Sequence, residues 1–164
     1  MENVEEDLDP GVLLDGEISQ LCGFKVMEGI YAVPVLDVQE VVKPQKVTPV
    51  PLSPSYIDGL INLRGQIVTA INLRKLFGLP ARETDSDYMN IIVRSNDSLY
   101  ALVVDEILDV MEIENTLFED TPDTISESLK RFILGVFKLD EKLLTLLSLK
   151  KILNINHHRE LKNA

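Results

Sequence analysis

The chain has 164 residues, 45% of them hydrophobic, and a formal net charge of −11. This excess of carboxylates argues against a nucleic-acid-binding protein, which needs clustered Lys and Arg to neutralise phosphates. The longest unbroken apolar runs are about one strand long, far below the roughly 18 residues of a membrane-spanning helix, so we expect no direct membrane insertion.

The first 17 residues form an acidic lead, with seven carboxylates and no basic side chain. We predict that this lead is solvated and disordered, because it has few apolar groups to bury. It has neither the basic region nor the apolar stretch of a secretory signal. The single cysteine, Cys22, excludes an internal disulfide, and the sequence therefore predicts a cytoplasmic protein.

Short β-rich runs separated by turn residues dominate the first half. Strands are predicted at Gln20 to Val26, Ile30 to Pro34 and Glu40 to Lys43, followed by a hairpin over Ile57 to Asn72. The proline-rich stretch Lys46 to Ser55 is predicted as an extended loop or sheet edge, because proline cannot donate to a ladder of hydrogen bonds. A helical turn is expected at Leu73 to Phe77, where Gly78 and Pro80 stop it.

The second half follows the same pattern after a polar connection at residues 81–87. Strands are predicted at Met89 to Arg94, Leu99 to Val104, Ile133 to Lys138 and Leu143 to Leu147. Glu112 to Glu127 is acidic and without periodicity, so we predict irregular structure there, with a helical turn at Ser126 to Arg131. Another helical turn is predicted at Leu149 to Leu153.

Two blocks of the sequence occur twice. Residues 59–77 align without a gap on residues 135–153 at an offset of 76, which places Gly135 on Gly59. A block that begins at Tyr31 aligns at an offset of 69 on one that begins at Tyr100. Self-similarity of this kind predicts two similar subdomains. The short strands and hairpin turns indicate that each is a small antiparallel barrel.

The sequence contains no constellation of residues typical of catalysis. Its only histidines, His157 and His158, lie in the polar C-terminal segment, where we interpret them as solvated residues and not as metal ligands. No Gly-rich phosphate loop, metal-ligand spacing or nucleophile beside a histidine is present. The carboxylate pairs Asp105-Glu106 and Glu119-Asp120 are expected to be solvated. We therefore predict a protein without catalytic residues, cofactor or metal, which acts by binding.

Three side chains are candidates for that binding. Arg64 lies at a hairpin tip, where the second copy has Asp140, and a guanidinium can fork onto a carboxylate of a partner. From spacing alone, an ordinary exposed turn arginine is the alternative. Val38 and Ile107 are equivalent under the repeat and can face one groove suited to an apolar helix face, or can simply pack in the core.

Five motifs resemble those of the CheW-like adaptor proteins of bacterial chemosensory systems. They span about Ile18 to Leu153. The motifs are V-Q-E-V at Val38 to Val41, G-L-I-N-L-R-G at Gly59 to Gly65, I-N-L-R-K-L-F-G-L at Ile71 to Leu79, L-V-V-D-E-I at Leu102 to Ile107, and L-L-T-L-L-S-L-K-K-I-L at Leu143 to Leu153.

The resemblance implies a mainly all-β fold of two SH3-like, five-stranded antiparallel β-barrel subdomains with short helices. The domain organisation that follows is an acidic lead over residues 1–17, a CheW-like domain over residues 18–153 and a polar tail over residues 154–164. Within the domain, the two small barrels are expected to be intertwined, with copies at roughly 18–80 and 88–153.

The resemblance also implies a non-enzymatic coupling protein. Such a protein links the cytoplasmic hairpin tip of a chemoreceptor to the regulatory domain of the histidine kinase CheA, and so permits control of kinase activity. We expect a monomer in isolation that joins membrane receptor arrays through its partners. Carried over by position, the receptor-binding residues are Val38, Glu40, Arg64, Ala101 and Ile107.

Three positions depart from the family pattern. Thr69 stands where proline is usual, and Asn72 and Ser148 stand where aspartate is usual, so neighbouring arginines such as Arg74 are expected to lose support. Two other functions remain open at this point. One is an adaptor of a chemosensory pathway with a non-flagellar output, and the other is a CheV-type regulator without its receiver domain.

Overall fold

The computed structural model describes residues 16–154, and within this range the chain forms eleven strands and a few short helices. Residues 1–15 of the acidic lead and residues 155–164, with both histidines, lie outside the described range. The strands are β1 (Ile18–Val26), β2 (Gly29–Pro34), β3 (Val38–Val42), β4 (Ile57–Leu63), β5 (Gln66–Asn72), β6 (Met89–Ser95), β7 (Ser98–Val104), β8 (Glu106–Glu114), β9 (Phe118–Glu119), β10 (Ile133–Lys138) and β11 (Leu143–Leu147). The α-helical turns are α1 (Leu73–Leu76), α2 (Glu127–Lys130) and α3 (residues 149–154), and single 3₁₀ turns lie at Val35–Asp37 and Asn115–Leu117.

The strands form two sheets, each built from both halves of the chain. The six-stranded sheet has the order β8-β1-β2-β11-β10-β9, and the five-stranded sheet has the order β3-β6-β7-β5-β4. The hairpin β1–β2 of the first half therefore lies in a sheet with β8 to β11 of the second half, and the hairpin β6–β7 lies with β3 to β5 of the first. Each half of the chain thus contributes one hairpin to the sheet that is built mainly from the other half.

The predicted mainly-β class with small subdomains and short helices is confirmed, but two details differ. One sheet has six strands instead of five, because the short strand β9 pairs with the outer edge of β10. Each sheet also contains one parallel pair, β2 with β11 and β5 with β7, since exchanged hairpins meet strands that run in the same direction.

The prediction of irregular structure from Glu112 onward is wrong for its first residues. Strand β8 continues to Glu114 and pairs with β1 as far as Ile18. Along its end, Met111 and Ile113 pack on a hydrophobic cluster, while Glu112 and Glu114, which alternate with them, are exposed. Such alternation of buried and exposed residues is typical of a half-buried strand. The many carboxylates in this segment made the pattern hard to recognise from the sequence.

The two sheets share their largest hydrophobic cluster. It contains Phe24 and Tyr31 from the six-stranded sheet, Ile71 and Leu102 from the five-stranded sheet, and Phe132 from the connection before β10. A chain of aromatic contacts crosses it, with ring centroids between 5.4 and 6.1 Å apart. Since burial of each large apolar side chain stabilises a fold by about 1.5–3 kcal/mol, this cluster joins the two sheets firmly.

The helical turns α1 and α3 begin at equivalent polar residues. The side-chain oxygen of Asn72 accepts a hydrogen bond from the Lys75 backbone N–H at 3.1 Å, and Ser148 Oγ accepts one from the Lys151 N–H at 3.1 Å. Both residues are N-caps, which satisfy backbone donors that have no partner inside the helix. The two departures from aspartate thus keep a capping oxygen.

We predict that Asn72→Ala and Ser148→Ala each lower the free energy of unfolding by about 1 kcal/mol, the usual cost of removing an N-cap. Urea unfolding followed by circular dichroism measures this cost. Ser148→Asp is the control, because it keeps a capping oxygen and is expected to retain stability; Asn72→Asp cannot serve, because Asn72 Nδ2 donates to the Asp58 carboxylate at 3.3 Å and an aspartate there would repel it. A loss of stability in Ser148→Asp as large as in Ser148→Ala would contradict the capping role.

No helix within residues 16–154 is long and apolar enough to cross a membrane.

Candidate functional site

Arg64 lies in the two-residue turn between β4 and β5, whose flanking residues Leu63 and Gln66 pair. The φ angles of Arg64 and Gly65 are 51° and 89°. Two successive positive φ values are the requirement of a tight hairpin turn, in which glycine is favoured at the second place. The Gly65 N–H also donates to the Asn62 side chain at 2.9 Å, so the sequence N-L-R-G fixes the turn locally. The turn presents the Arg64 side chain, which is 64% exposed, to solvent.

Glu40 is the partner of Arg64. The Arg64 guanidinium donates a hydrogen bond to the Glu40 carboxylate and forms an ion pair with it. Glu40 lies on β3 and Arg64 at the end of β4, and these strands are the two edges of the five-stranded sheet. The ion pair therefore joins the open edges of that sheet. An exposed pair of this kind contributes little to stability, about 0–1 kcal/mol, so Arg64 can change partners at small cost.

Val38 and Ile107 lie on β3 and β8, in different sheets, and both are partly buried against the cluster that the sheets share. The two residues are equivalent in the repeat and also occupy equivalent places in the fold. Each lies near the start of an edge strand and contacts the same core. Neither side chain is fully covered. The structure supports core packing for both residues and leaves part of each apolar surface for a partner.

Ala101 is different from the other four candidates. It lies in the middle of β7 and is fully buried within a cluster of the five-stranded sheet that includes Val68, Ile92 and Val103. A partner cannot touch its side chain in this conformation. Ala101 is therefore omitted from the candidate surface, which consists of Val38, Glu40, Arg64 and Ile107.

The second half of the chain has no equivalent of the Arg64 ion pair. Under the repeat, Asp140 takes the place of Arg64 and Asp109 takes the place of Glu40. Two carboxylates cannot form the ion pair that joins Arg64 and Glu40 in the first half. The folds of the copies are therefore similar while the charges at their hairpin tips are opposite.

A second ion pair, between Arg74 and Asp105, was missed by the sequence analysis. Arg74 Nη2 and Asp105 Oδ2 are 2.7 Å apart, Arg74 Nε donates to Oδ1 at 3.0 Å, and the Met27 backbone N–H donates to Oδ2 at 2.6 Å. The expectation that Asp105 is a solvated carboxylate is therefore wrong. The sequence predicted that Arg74 would lack a carboxylate partner, because Asn72 replaces the usual aspartate. Arg74 has such a partner nevertheless, because Asp105 lies 31 positions away in the chain and binds it.

The contacts of Asp105 determine its protonation. Burial alone would raise the pKa of its carboxyl group, but hydrogen bonds from Arg74 and Met27, with the charges of Arg74 and Arg82, outweigh burial and lower the pKa below its usual value. Asp105 is thus ionised at neutral pH. Asp105 lies where the chain passes from β7 in one sheet to β8 in the other. Its contacts therefore stabilise the connection between the two sheets.

The arrangement of these side chains is suited to binding a protein. Val38 is partly exposed and lies on the same strand as Glu40, so its side chain and the exposed Arg64–Glu40 ion pair can receive an apolar surface that carries a charge. Within residues 16–154, no group of three or more His, Cys, Asp and Glu is placed to hold a metal ion.

A comparison with protein families gives one family over most of the chain. A family model described as the CheW-like domain matches residues 20–156. Two relatives are named Chemotaxis protein CheW. The one from Helicobacter pylori is 34% identical over 137 residues, which cover 84% of this chain and 82% of the relative. The one from Treponema pallidum is 29% identical over 154 residues, which cover 92% and 91%.

The fold is also similar to that of a solved structure, the scaffolding protein TtCheW from Thermoanaerobacter tengcongensis. The two chains share 34% sequence identity and superpose with a TM-score of 0.71. The match covers 80% of this chain and 89% of the other.

Proposed function

The chain belongs to the CheW-like domain family, a family of non-enzymatic chemotaxis adaptors, and we propose that it couples a chemoreceptor to the histidine kinase CheA. The chain is a coupling adaptor and not an enzyme. Its effect on the kinase comes from holding two partners together, with no chemical step of its own. We place it in the cytoplasm, at the receptor arrays that its partners form, and as a monomer when it is alone.

We assign receptor binding to the surface made by Val38, Glu40, Arg64 and Ile107. The observation that carries this assignment is the exposed Arg64–Glu40 ion pair at the edge of the sheet that also presents Val38. A receptor hairpin is helical, and an apolar helix face fits a surface of partly covered aliphatic side chains. A carboxylate on that helix can take the place of Glu40 on the Arg64 guanidinium and so fix the register of the complex.

The proposal predicts that Arg64→Asp weakens binding to the receptor hairpin about thirtyfold, or about 2 kcal/mol. The new carboxylate faces Glu40, so the site loses the Arg64 guanidinium and gains a repulsion. Isothermal titration with a receptor cytoplasmic fragment measures the change, and thermal unfolding is expected to stay close to that of the wild type.

The matched control is Arg131→Asp. Arg131 is exposed and lies before β10, and the substitution changes the net charge by the same amount. It is expected to leave receptor affinity unchanged. Equal losses in the two variants would mean that overall charge, and not the Arg64 site, sets the affinity.

The complete function is tested by reconstitution. The wild-type chain, a receptor fragment and the CheA regulatory domain are mixed in pairs and together, and ternary complexes are detected by size-exclusion chromatography with light scattering. We expect both pairs and the ternary complex. Binding of only one partner, or two partners that displace each other, would refute the coupling role.

A further inference from the structure

An apolar pocket of about 400 Å³ lies at the start of β1. Its apolar lining comes from the start of β1, the end of β2 and the 3₁₀ turn that follows, and consists of Ile18, Pro34, Val35 and Leu36. The side chains of Ile18 and Leu36 are 54% and 96% exposed, so most of their apolar surface is left to water. Exposed apolar side chains that share one concave surface indicate a place where another apolar segment docks.

The chain enters the fold beside this pocket, at a point that Asn115 fixes. Asn115 Nδ2 donates to the Gly16 carbonyl at 3.0 Å, the Asn115 N–H donates to the Glu17 carbonyl at 2.9 Å, and Ser19 Oγ donates to the Asn115 side-chain oxygen at 2.5 Å. Gly16 has a φ of +104°, which glycine adopts readily, so the chain bends as it enters β1. The residues before Gly16 therefore join the fold only two positions before Ile18, on the wall of the pocket.

The segment just before Gly16 has the composition that suits an apolar pocket. The sequence reads V-L-L-D-G at Val12 to Gly16, and this run of three large apolar side chains has no equal in the acidic lead. Leu14 precedes Ile18 by four residues, so their Cα atoms lie within about 14 Å of each other in any conformation. Asp15 follows the run, and the exposed Glu112, which also lines the pocket, repels carboxylates. Only the uncharged run of the lead is therefore suited to the pocket.

We propose that residues 12–14 dock into this pocket of the same molecule and so compete with the receptor helix. Val35 and Leu36 in the pocket lie directly before Val38 of the receptor surface, and a segment seated on them obstructs the approach of a helix to Val38. The docking is independent of the proposed function, whereas its effect on receptor binding rests on that function. The end of the acidic lead is thus an intramolecular competitor that the receptor must displace.

A weak contact is enough for this competition, because the segment is tethered beside its site. A short tether gives an effective concentration in the millimolar range. With an effective concentration of about 3 mM and an intrinsic dissociation constant of about 1 mM, the pocket is occupied about three-quarters of the time. About a quarter of the molecules then bind the receptor freely, so the receptor affinity is about fourfold weaker than without the competitor.

The docking is tested directly by nuclear Overhauser spectroscopy of the full chain, with ¹³C-labelled methyl groups of Ile, Leu and Val. We expect contacts between the methyl groups of Leu13 or Leu14 and those of Ile18 or Val35. Serine at all three positions, Val12→Ser with Leu13→Ser and Leu14→Ser, is expected to shift the Ile18 and Val35 resonances. A wild type without these contacts would overturn the inference and leave the proposed function standing.

The competition is tested by isothermal titration with the receptor cytoplasmic fragment. The triple serine variant of residues 12–14 is expected to bind the fragment about fourfold more tightly than the wild type, with no change in net charge. The matched control is Val4→Ser with Leu8→Ser, because these apolar residues of the same lead stand singly next to carboxylates. The control is expected to bind as the wild type does. Equal gains in both variants would overturn the inference, because the general composition of the lead would then set the affinity.

Three further outcomes are decisive. Methyl contacts that appear only between labelled and unlabelled molecules of a mixed sample would make a second copy the occupant of the pocket and overturn the inference. Receptor binding that is weaker in the triple serine variant, or unchanged, would overturn the competition, since residues 12–14 would then aid the receptor or leave it unaffected. A receptor fragment that binds neither chain refutes the proposed function, and the competition with it, while the methyl contacts still decide the docking.

Discussion

Gly59→Ala is expected to lower the free energy of unfolding by about 3 kcal/mol or more. Gly59 lies at a shift of register in the β4–β5 hairpin, with a φ of +146°. A Cβ placed there would lie 2.3 Å from the Thr48 carbonyl oxygen. That carbonyl is held by the Leu60 N–H, so it cannot move away without breaking the bridge that covers the edge of β4. Urea unfolding at neutral pH measures the loss.

Gly65→Ala separates backbone strain from steric contact. Gly65 also has a positive φ, +89°, but nothing lies within 4 Å of the position of its Cβ. Its cost is therefore limited to backbone strain, about 1 kcal/mol. A cost for Gly59→Ala no greater than that for Gly65→Ala would show that the approach of Thr48 is unimportant.

The repeat provides a second test of the same contact. Gly135, the equivalent of Gly59, would place a Cβ 2.3 Å from Phe118 Cζ and 2.7 Å from the Glu119 carbonyl oxygen on β9. In both halves, a connecting segment thus crosses closely over the first strand of the hairpin. We expect Gly135→Ala to be strongly destabilising as well, because a backbone oxygen again limits the space.

Asp105→Ala is expected to lower the free energy of unfolding by about 3 kcal/mol at pH 7. The side chains of Asp105 and Arg74 are only 20% and 19% exposed, so the substitution leaves a largely covered guanidinium without its carboxylate. The Met27 N–H loses its acceptor as well. Asp109→Ala is the control, because Asp109 is exposed, and we expect a change within about 0.5 kcal/mol.

The effect of Asp105 should also depend on pH, in a known direction. Its pKa is lowered in the folded chain, so its stabilisation is complete above the unfolded pKa of about 3.9 and is lost as pH falls through the folded value. The difference in unfolding free energy between wild type and Asp105→Ala is thus expected to be constant from pH 7 to about pH 5 and to shrink below about pH 4. A difference that persists to pH 2 would contradict ionisation as its source.

The sequence predicted the elements of this fold well where the signal is local. Alternation of apolar residues, the turn N-L-R-G and the prolines after β3 act over a few residues, and the strands and turns they predicted are present. The repeat also predicted two similar units. Strand β8 was not predicted, because its glutamates look like a loop until their positions on the solvent face are known.

Both the sequence and the tertiary structure were needed to define the candidate site. Family motifs pointed to Val38, Glu40, Arg64 and Ile107, but the ion pair between Arg64 and Glu40 joins residues 24 positions apart and has no local signal. Ala101 was carried over from the family by position, yet its side chain is covered by neighbouring strands.

The sequence by itself determined most of the strands, the tight turns and the two-unit plan, since each depends mainly on interactions between near neighbours in the chain. The tertiary structure alone decided that the hairpins are exchanged between the sheets, that Arg74 pairs with Asp105, and that Asp105 lies at the crossing between the sheets. These outcomes depend on contacts between residues far apart in the chain. Their free energies become favourable only when the shared core brings both sheets together.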